Sequence, residues 1–227
     1  MRSGIDQELH ILTASYGARS GLWTVAPQFL SEKSIVYSIG VGNNIAWDLE
    51  LIARHQVELH AFDPTPRTVE WLATQDLPTG FHFHPIGLSD HDGTKTFLVP
   101  KRAHKFNYRA AKTTPVGRES IACEVRRLST LLREANHQQI DVLKIDIEGE
   151  EMRALPDMIH SGIRPGQLLV EFHYQYPEID FSQFCSLIHD LRQIGYRIFD
   201  ISARGYEFSL IHERLLADSA SGGQDVV

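Results

Sequence analysis

Residues 34–44 read SIVYSIGVGNN, and this stretch decides the fold. Its first six residues form an uncharged run with β-branched side chains, which is the pattern of a buried strand, and Gly40 ends that run. Gly42 follows, and either Asn43 or Asn44 is a suitable cap for the next helix. The stretch therefore predicts a strand, a glycine turn and a helix in succession.

The same alternation of strand and helix continues along the chain. Further strands are predicted at 57–62, 81–88, 94–99, 121–125, 141–147 and 168–172, with a closing hairpin at 196–201 and 207–211. Strands that alternate with helices pair in parallel through right-handed crossovers, with helices on both faces. The predicted fold class is α/β, a doubly wound Rossmann-like, mostly parallel sheet with an antiparallel last strand.

Local signals also predict how the helices lie. Ser129 is the predicted cap of a helix in the middle of the chain. Pro156 lacks the N–H that a helix interior requires, so it is predicted to end one helix and begin another. Apolar residues at helical spacing give the first helix a predicted buried face. That face consists of Ile45, Leu49, Ile52 and Ala53.

Length and composition indicate one domain. The chain has 227 residues, enough for one good core, and its 42% apolar and 22% charged residues are ordinary for a globular protein. Residues 1–33 are predicted to be an irregular or helical N-terminal lead-in and 34–216 the domain itself. The small polar residues at 217–227 predict a flexible tail.

Charge and cysteine content narrow the classes of partner. Acidic residues outnumber basic ones by 29 to 22, and the net charge of -7 repels nucleic-acid phosphates and anionic lipids. Cys123 and Cys185 lack metal-type spacing and are expected to be ordinary buried thiols in a reducing compartment. No apolar run reaches the ~20 residues of a membrane span, and no secretory signal is seen. We therefore expect a cytoplasmic protein without nucleic-acid or membrane partners.

Two features after the first strands favour a nucleoside ligand. Glycines such as Gly40 and Gly42 let a ligand lie against the backbone, although the same pair also fits a plain tight turn. Asp63 lies 21 residues beyond Gly42, where an acid accepts hydrogen bonds from ribose hydroxyls, and its alternative role is a helix cap. Ile45 stands where a third glycine completes the dinucleotide fingerprint, so that fingerprint is incomplete.

Charged residues also follow the fourth and fifth parallel strands. Asp146 and Glu148 alternate with apolar residues, so they share a side of the chain and are expected to face the cleft. Glu171 and His173 likewise share a side. If the two strands are neighbours, Asp146, Glu148 and His173 converge as a general base or as ligands of a divalent metal. A salt-bridged strand end is the alternative, and metal binding stays undecided.

A basic segment interrupts this acidic chain. Residues 101–118 contain six Lys and Arg residues and no acid, with Phe106 and Tyr108 between them. Such a segment is either a lid over an anionic or sugar substrate or a solvated loop, and the sequence leaves both open.

Three blocks of the sequence resemble the signature blocks of the FkbM-type methyltransferases. They are VYSIGVG at 36–42, AFDPT at 61–65 and VLKIDIEG at 142–149, supported by GLSD at 87–90. The resemblance covers about residues 34–212. It implies a class I Rossmann-like fold, S-adenosylmethionine as cofactor, and methyl transfer to a hydroxyl oxygen of a sugar or natural product.

The resemblance also assigns site residues. It implies that Asp90 and Leu88 contact adenine, and Ser38 stands where the family often has an acid that holds the methionine end of the cofactor. The expected catalytic residues are Asp146, Glu148 and His173. The expected cofactor-binding residues are Ser38, Gly40, Gly42, Asn43, Asp63, Leu88 and Asp90.

Two rival functions remain open at this point. Ser38 and the missing third glycine are compatible with a non-catalytic module that binds S-adenosylmethionine or a partner. A nicotinamide-dependent oxidoreductase ranks last, because its fingerprint requires glycine at position 45 and no tyrosine–lysine pair for hydride transfer is evident. The acceptor and the oligomeric state are not specified by the sequence.

Overall fold

The structure is a computed structural model that describes residues 4–18, 21–102, 104–111 and 116–221. The strands are β1 (Ala14–Tyr16), β2 (Trp23–Val25), β3 (Ile35–Ile39), β4 (Glu58–Phe62), β5 (Phe81–His84), β6 (Gly87–Leu88), β7 (Gly93–Leu98), β8 (Arg109–Ala110), β9 (Ser120–Arg126), β10 (Val142–Ile145), β11 (Gln167–Glu171), β12 (Tyr196–Ile201) and β13 (Glu207–His212). The helices are α1 (Ala46–His55), α2 (Pro66–Leu72), α3 (Leu128–Glu134), α4 (Glu151–His160), α5 (Phe181–Gln193) and α6 (Glu213–Ser221).

The main sheet confirms the predicted fold class. Its strand order is β12-β13-β11-β10-β3-β4-β5. Strands β3, β4, β5, β10 and β11 pair in parallel, and β13 runs antiparallel to both β11 and β12. The order reverses between β3 and β10, so the carboxyl ends of these two strands form the switch point at which such sheets bind ligands.

The core covers both faces of the sheet, as the alternation of strand residues requires. On one face Val36 packs in a cluster with Trp47 and Leu51 of α1. On the other face Tyr37 and Ile39 belong to a larger cluster with residues of α3, α4 and α5. Full burial of such a side chain contributes ~1.5–3 kcal/mol, so these two layers hold the strand ends in place.

A second, smaller sheet corrects one predicted strand. The segment 81–88 is not continuous, because β5 belongs to the main sheet whereas β6 joins a sheet of order β6-β9-β7-β8. Pro85 separates them, and it lacks the N–H that a sheet ladder uses. The Ile86 N–H instead donates to the His84 carbonyl over 2.8 Å, which turns the chain out of the main sheet.

Two helix predictions are also wrong. Ser129 lies inside α3, because Asp92 holds the start of that helix from outside: it accepts from the Arg127 N–H and from the Thr130 hydroxyl, each over 2.8 Å. Pro156 lies inside a continuous α4, and this keeps Leu155 and the other apolar residues of that helix buried on one side.

The buried face of α1 also differs from the prediction. The helix buries Trp47, Asp48 and Leu51, whereas Leu49 is only half-buried and Ala53 is exposed. The predicted stripe was therefore rotated around the helix axis. Because this face was misplaced, the prediction missed Asp48, a buried carboxylate that lies next to the glycine turn.

The ends of the chain are more ordered than predicted where they are described. In the predicted lead-in, β1 and β2 form an antiparallel hairpin with Tyr16 and Trp23 buried. Helix α6 continues through residue 221, so the first part of the predicted tail at 217–227 is helical, while 222–227 lie outside the described residues. The division into lead-in, domain and tail stays a prediction.

The cysteines and the helices bear on two further expectations. Cys123 is buried as predicted, but Cys185 is exposed, and neither forms a disulfide. Among the described residues, every helix is too short or too polar to span a bilayer.

Candidate active site

A cavity of about 440 Å³ opens at the switch point of the main sheet. The glycine turn after β3 and the segment 63–65 after β4 form one side of it. Residues 146–148 after β10 form another side, and residues 105–108 of the basic segment close over it. Volumes of ~300–1,000 Å³ are usual for small-molecule and cofactor sites, so the cavity is the candidate site.

Gly40 brings the two sides of the cavity together. Its φ is +83°, a left-handed value, and a Cβ at this position would collide with the carbonyl oxygen of Asp146. The buried Lys144 donates from Nζ to the Gly40 carbonyl over 2.6 Å. Gly42 has a left-handed φ of +57°, and a Cβ built there would meet Phe106 Cβ at an ordinary contact distance of 3.7 Å. The first glycine is thus required by backbone contact and the second is favoured by its left-handed φ.

Asp63 lines the cavity, but its carboxylate is already engaged. Oδ2 accepts from the N–H groups of Val41 and Gly42 at 3.1 and 3.0 Å. Oδ1 accepts from the backbone N–H and the hydroxyl of Thr65 at 2.9 and 2.6 Å. In this arrangement Asp63 braces the glycine turn. A ribose contact at Asp63 stays a prediction, and it requires some of these bonds to be shared with the ligand.

A carboxylate missed by the sequence reasoning lies beside Ser38. Ser38 is fully buried and is not among the residues that line the cavity, whereas Asp48 of α1 lines it. Burial raises the pKa of Asp48, and the nearby Lys144 ammonium and the Ser38 hydroxyl act to lower it. Asp48 Oδ1 and Trp47 Nε1 are buried without a hydrogen-bond partner in the described part of the chain.

The two residues predicted to contact adenine separate in the structure. Leu88 lines the cavity. Asp90 does not: its carboxylate contacts His91 Nδ1 at 2.8 Å and Arg153 at 3.3 Å on the surface. The hydrogen bond from His91 lowers the pKa of Asp90 to about 2. The geometry therefore argues against the adenine contact predicted for Asp90.

Asn43 and the basic segment complete the cavity rim. Asn43 is exposed and lines the opening, as its predicted role requires. Tyr108 is buried beneath the Arg67 guanidinium, which lies 5.5 Å from its ring centre and donates to the Lys105 carbonyl over 2.7 Å. Residues 105–108 of the basic segment are thus anchored over the cavity, and a role as a lid stays a prediction; residues 103 and 112–115 lie outside the described residues.

The structure brings Asp146, Glu148 and His173 together at the strand ends. His173 Nε2 lies 3.9 Å from Asp146 Oδ1 and 3.8 Å from Glu148 Oε2. Glu148 adopts a left-handed φ of +55° and accepts a hydrogen bond from the Tyr176 hydroxyl. Left-handed backbone costs a non-glycine residue ~1–2 kcal/mol, so this turn aims the carboxylate at the cluster at some expense of stability.

A buried acid that the prediction omitted holds His173 in place. The His173 side chain is 4% exposed, and Glu151 accepts from its backbone N–H at 2.8 Å and contacts Nδ1 at 3.2 Å. Burial acts to lower the pKa of His173, but Glu151, with Asp146 and Glu148, raises it to about 9. His173 is therefore cationic at neutral pH, which favours a carboxylate over this histidine as the base.

Glu171 is the group best suited to accept a proton near neutral pH. It lies at the end of β11 and lines the cavity. Burial, with the charge of Asp146, raises the pKa of Glu171 to about 7. A pKa near the working pH is optimal for general base catalysis. The alternation of Glu171 with His173 placed both on one side, and this was the signal that could have included Glu171 in the predicted site.

The cluster also has the composition of a divalent metal site. One ligand atom each of Asp146, Glu171 and His173 lies within 4.8 Å of the others. Imidazole binds a metal only after losing its proton, so the raised pKa of His173 opposes binding at neutral pH. Metal dependence stays undecided.

Comparison with known proteins connects this cavity to one family. The profile of the methyltransferase FkbM domain matches residues 20–208. The probable methyltransferase-like protein 24 of Homo sapiens is 26% identical over 187 residues, which cover 78% of this chain and 45% of that protein. Its counterpart in Rattus norvegicus is 26% identical over 185 residues, 77% of this chain and 45% of that protein. The chain thus spans less than half the length of the curated relatives it matches.

Solved structures show weaker similarity. A methyltransferase FkbM from Methylobacillus flagellatus KT has a TM-score of 0.49 at 15% identity, over 81% of this chain and 44% of that chain. The fibrillarin pre-rRNA processing protein of Methanococcus jannaschii has a TM-score of 0.47 at 13% identity, over 83% of this chain and 70% of that chain.

Proposed function

The chain belongs to the FkbM methyltransferase family, and on that premise we propose that it transfers a methyl group from S-adenosylmethionine to a hydroxyl oxygen of a small molecule. The observation that carries the proposal is the juxtaposition of the glycine turn and the carboxylate–histidine cluster on two sides of one cavity. Catalysis of this kind requires mainly that two reactants be held in line next to a base.

The residues of the cavity fit the cofactor. Asp48 Oδ1 and Trp47 Nε1 are buried polar atoms that a ligand with a donor and an acceptor would satisfy. Asp48 then provides, from α1, the acid that the family often carries at the position of Ser38. Gly40, Gly42, Asn43, Asp63 and Leu88 would hold the remainder. When bound, S-adenosylmethionine supplies a methyl group that its sulfonium already activates for transfer.

The proposed base is the carboxylate pair Asp146 and Glu171. Glu171, with its pKa raised to about 7, accepts the proton that the acceptor hydroxyl loses as the new bond forms. One ligand atom each of Asp146, Glu171 and His173 lies within 4.8 Å of the others, and the His173 imidazolium offsets part of the negative charge. Glu148 shapes the cavity wall with Tyr176.

The proposed acceptor is a sugar or natural product. Phe106, Tyr108 and Lys105 line the cavity from the lid, and aromatic rings beside a polar group suit a hydroxylated ring. The net charge of -7 supports a small-molecule acceptor over a nucleic acid. A cytoplasmic location remains a prediction.

Calorimetric titration with S-adenosylmethionine and S-adenosylhomocysteine tests the cofactor site. We expect binding by the wild-type chain and at least a 10-fold weaker Kd for Asp48→Asn, because the amide cannot balance a cationic amino group. The matched control is Asp76→Asn at an exposed aspartate. No binding by the wild-type chain, or equal affinity of all three proteins, contradicts the proposed site.

Product analysis tests the reaction. Purified protein is incubated with S-adenosylmethionine labelled in the methyl group and with panels of sugars and hydroxylated natural products, and labelled products are separated by mass. We expect O-methylation that Glu171→Gln abolishes. Cofactor binding without product across the panels favours the non-catalytic module instead.

A further inference from the structure

A second cluster of ionisable groups lies far from the cavity, at the opposite end of strand β4. Glu58 and His60 stand on one side of β4, and His137 approaches from the loop after α3. Asp63, at the other end of β4, is five residues from Glu58, or roughly 16 Å along the strand. Glu58, His60 and His137 form the edge cluster, and none of them is among the residues that line the cavity.

The edge cluster has the ligand spacing of a metal site. Glu58 Oε1 faces two ring nitrogens, His60 Nε2 at 3.0 Å and His137 Nε2 at 3.9 Å. All three ligand atoms lie within 4.8 Å of one another. A tetrahedral ion with bonds of ~2.0–2.2 Å keeps its ligand atoms ~3.3–3.6 Å apart, so small side-chain movements complete the site.

The outer nitrogens of both histidines are already held. His60 Nδ1 lies 2.9 Å from His84 Nε2, and His137 Nδ1 lies 2.9 Å from the hydroxyl of Tyr37. In the structure His60 Nε2 donates to Glu58 Oε1 over 3.0 Å. A bound metal would replace that proton, with Nδ1 then carrying the hydrogen of each imidazole. Such supporting hydrogen bonds fix the tautomer and ring orientation of metal-binding histidines.

The end of α3 places His137 at the cluster. Asn136 adopts a left-handed φ of +58°, and the His137 N–H donates to the Leu132 carbonyl over 2.9 Å. This is the hydrogen bond of a Schellman motif, which ends the helix at a defined orientation. The third ligand is therefore presented by a helix end rather than by a free loop.

We propose that Glu58, His60 and His137 bind a divalent first-row transition-metal ion, best matched by zinc, with water completing the coordination. Two imidazoles and one carboxylate are the ligands that zinc accepts in three-residue sites. The Glu58 side chain is 47% exposed, whereas the His60 side chain is 9% exposed, so the ion enters from solvent and is held against the sheet edge. The proposal does not depend on the methyltransferase reaction.

The test is titration of tag-free, chelator-treated protein with Zn²⁺ and with Co²⁺. It is run in the Asp146→Asn background, which removes one acid of the cavity cluster. We expect one equivalent bound, a tetrahedral Co²⁺ spectrum, and at least a 100-fold weaker Kd when Glu58→Gln and His137→Asn are combined. Tyr37→Phe removes only the supporting hydroxyl and is expected to weaken binding ~10-fold.

The control is His189→Asn, which removes an exposed imidazole on α5 and leaves the affinity unchanged. Circular dichroism checks folding, and if the double variant is unfolded, Glu58→Gln alone decides because its side chain is half exposed. Anomalous diffraction at the zinc edge is expected to give a peak between Glu58, His60 and His137. Absence of binding, equal affinity of Glu58→Gln and the parent, or a peak elsewhere overturns the proposal.

Discussion

His173 behind the cavity wall and His60 in the edge cluster are both buried, yet their surroundings shift their pKa values in opposite directions. Three carboxylates, led by Glu151, raise the pKa of His173 to about 9 against the effect of burial. Burial, with neighbouring imidazoles, lowers the pKa of His60 although Glu58 acts against it. Burial acts to lower the pKa of both histidines, and the comparison teaches that three carboxylates outweigh this effect at His173 whereas Glu58 alone does not at His60.

The two regions therefore lower the free energy of unfolding at opposite extremes, one as the pH rises above neutral and the other as it falls below neutral. The raised pKa of His173 stabilises the fold fully below the unfolded value of about 6.5, and this stabilisation is lost as the pH rises through about 9. Burial lowers the pKa of His84, which contacts His60 of the edge cluster, to about 4. Its protonation therefore favours the unfolded chain as the pH falls from about 6.5 toward 4.

The largest effect is expected from removing the base on the cavity side. Glu171→Gln should lower kcat ~10²–10⁴-fold, because the amide cannot accept the hydroxyl proton. It should also remove a rise of kcat with pH that has a midpoint of about 7 in the wild type. Rates measured from pH 5.5 to 9 check this, with Glu32→Gln at an exposed site as the control. An unchanged kcat would exclude Glu171 as the base.

Breaking the carboxylate contact of His173 should give the largest change in stability. Glu151→Gln is expected to lower the free energy of unfolding by about 3 kcal/mol at pH 7, because it leaves a buried imidazole without its charged partner. The loss of wild-type stability between pH 7 and 9 should disappear in the variant. Denaturant unfolding at several pH values checks both, and a variant that keeps the wild-type slope contradicts the role of Glu151.

A smaller effect is expected on the other side of the comparison. His84→Asn removes a group that protonates only at the expense of the fold, so the variant should lose about 1 kcal/mol less stability than the wild type between pH 6.5 and 4.5. The measurement is the same unfolding series with chelator present. If both proteins lose the same free energy of unfolding between pH 6.5 and 4.5, His84 is already free to protonate in the folded state.

The smallest effect is expected at Asp90, which the sequence predicted to contact the cofactor but which the structure places outside the cavity. Asp90→Asn breaks an exposed pair with Arg153, and such pairs contribute ~0–1 kcal/mol. We expect less than a 2-fold change in the Kd for S-adenosylmethionine by calorimetry. A 10-fold weaker Kd would restore Asp90 to the site and extend the ligand-binding region beyond the cavity.

Local sequence was sufficient to predict those elements whose structure is determined by their own neighbouring residues. The apolar runs that became β3, β10 and β11 and the glycine turn after residue 39 need no information from elsewhere. The start of α3 was misplaced because Asp92, 35 residues upstream of Arg127, supplies the cap. That contact exists only after β7 and β9 have paired.

The site was predictable where its residues follow parallel strands, because the carboxyl ends of those strands lie at the same edge of the sheet. The convergence of Asp146, Glu148 and His173 follows from the parallel pairing of β10 with β11. Asp48 was missed because the buried face of α1 was predicted on Ile45, Leu49, Ile52 and Ala53, whereas the helix buries Trp47, Asp48 and Leu51. The edge cluster was missed because His137 reaches Glu58 and His60 only from the end of α3, far along the chain from β4.

The close approach of Gly40 to Asp146 has a consequence for how this protein can change. One backbone contact joins the turn that would cradle the methyl donor to the residue that would face the acceptor. Substitution of Gly40 would displace both the donor side and the acceptor side of the site at once. A change at this position therefore cannot alter one side without altering the other.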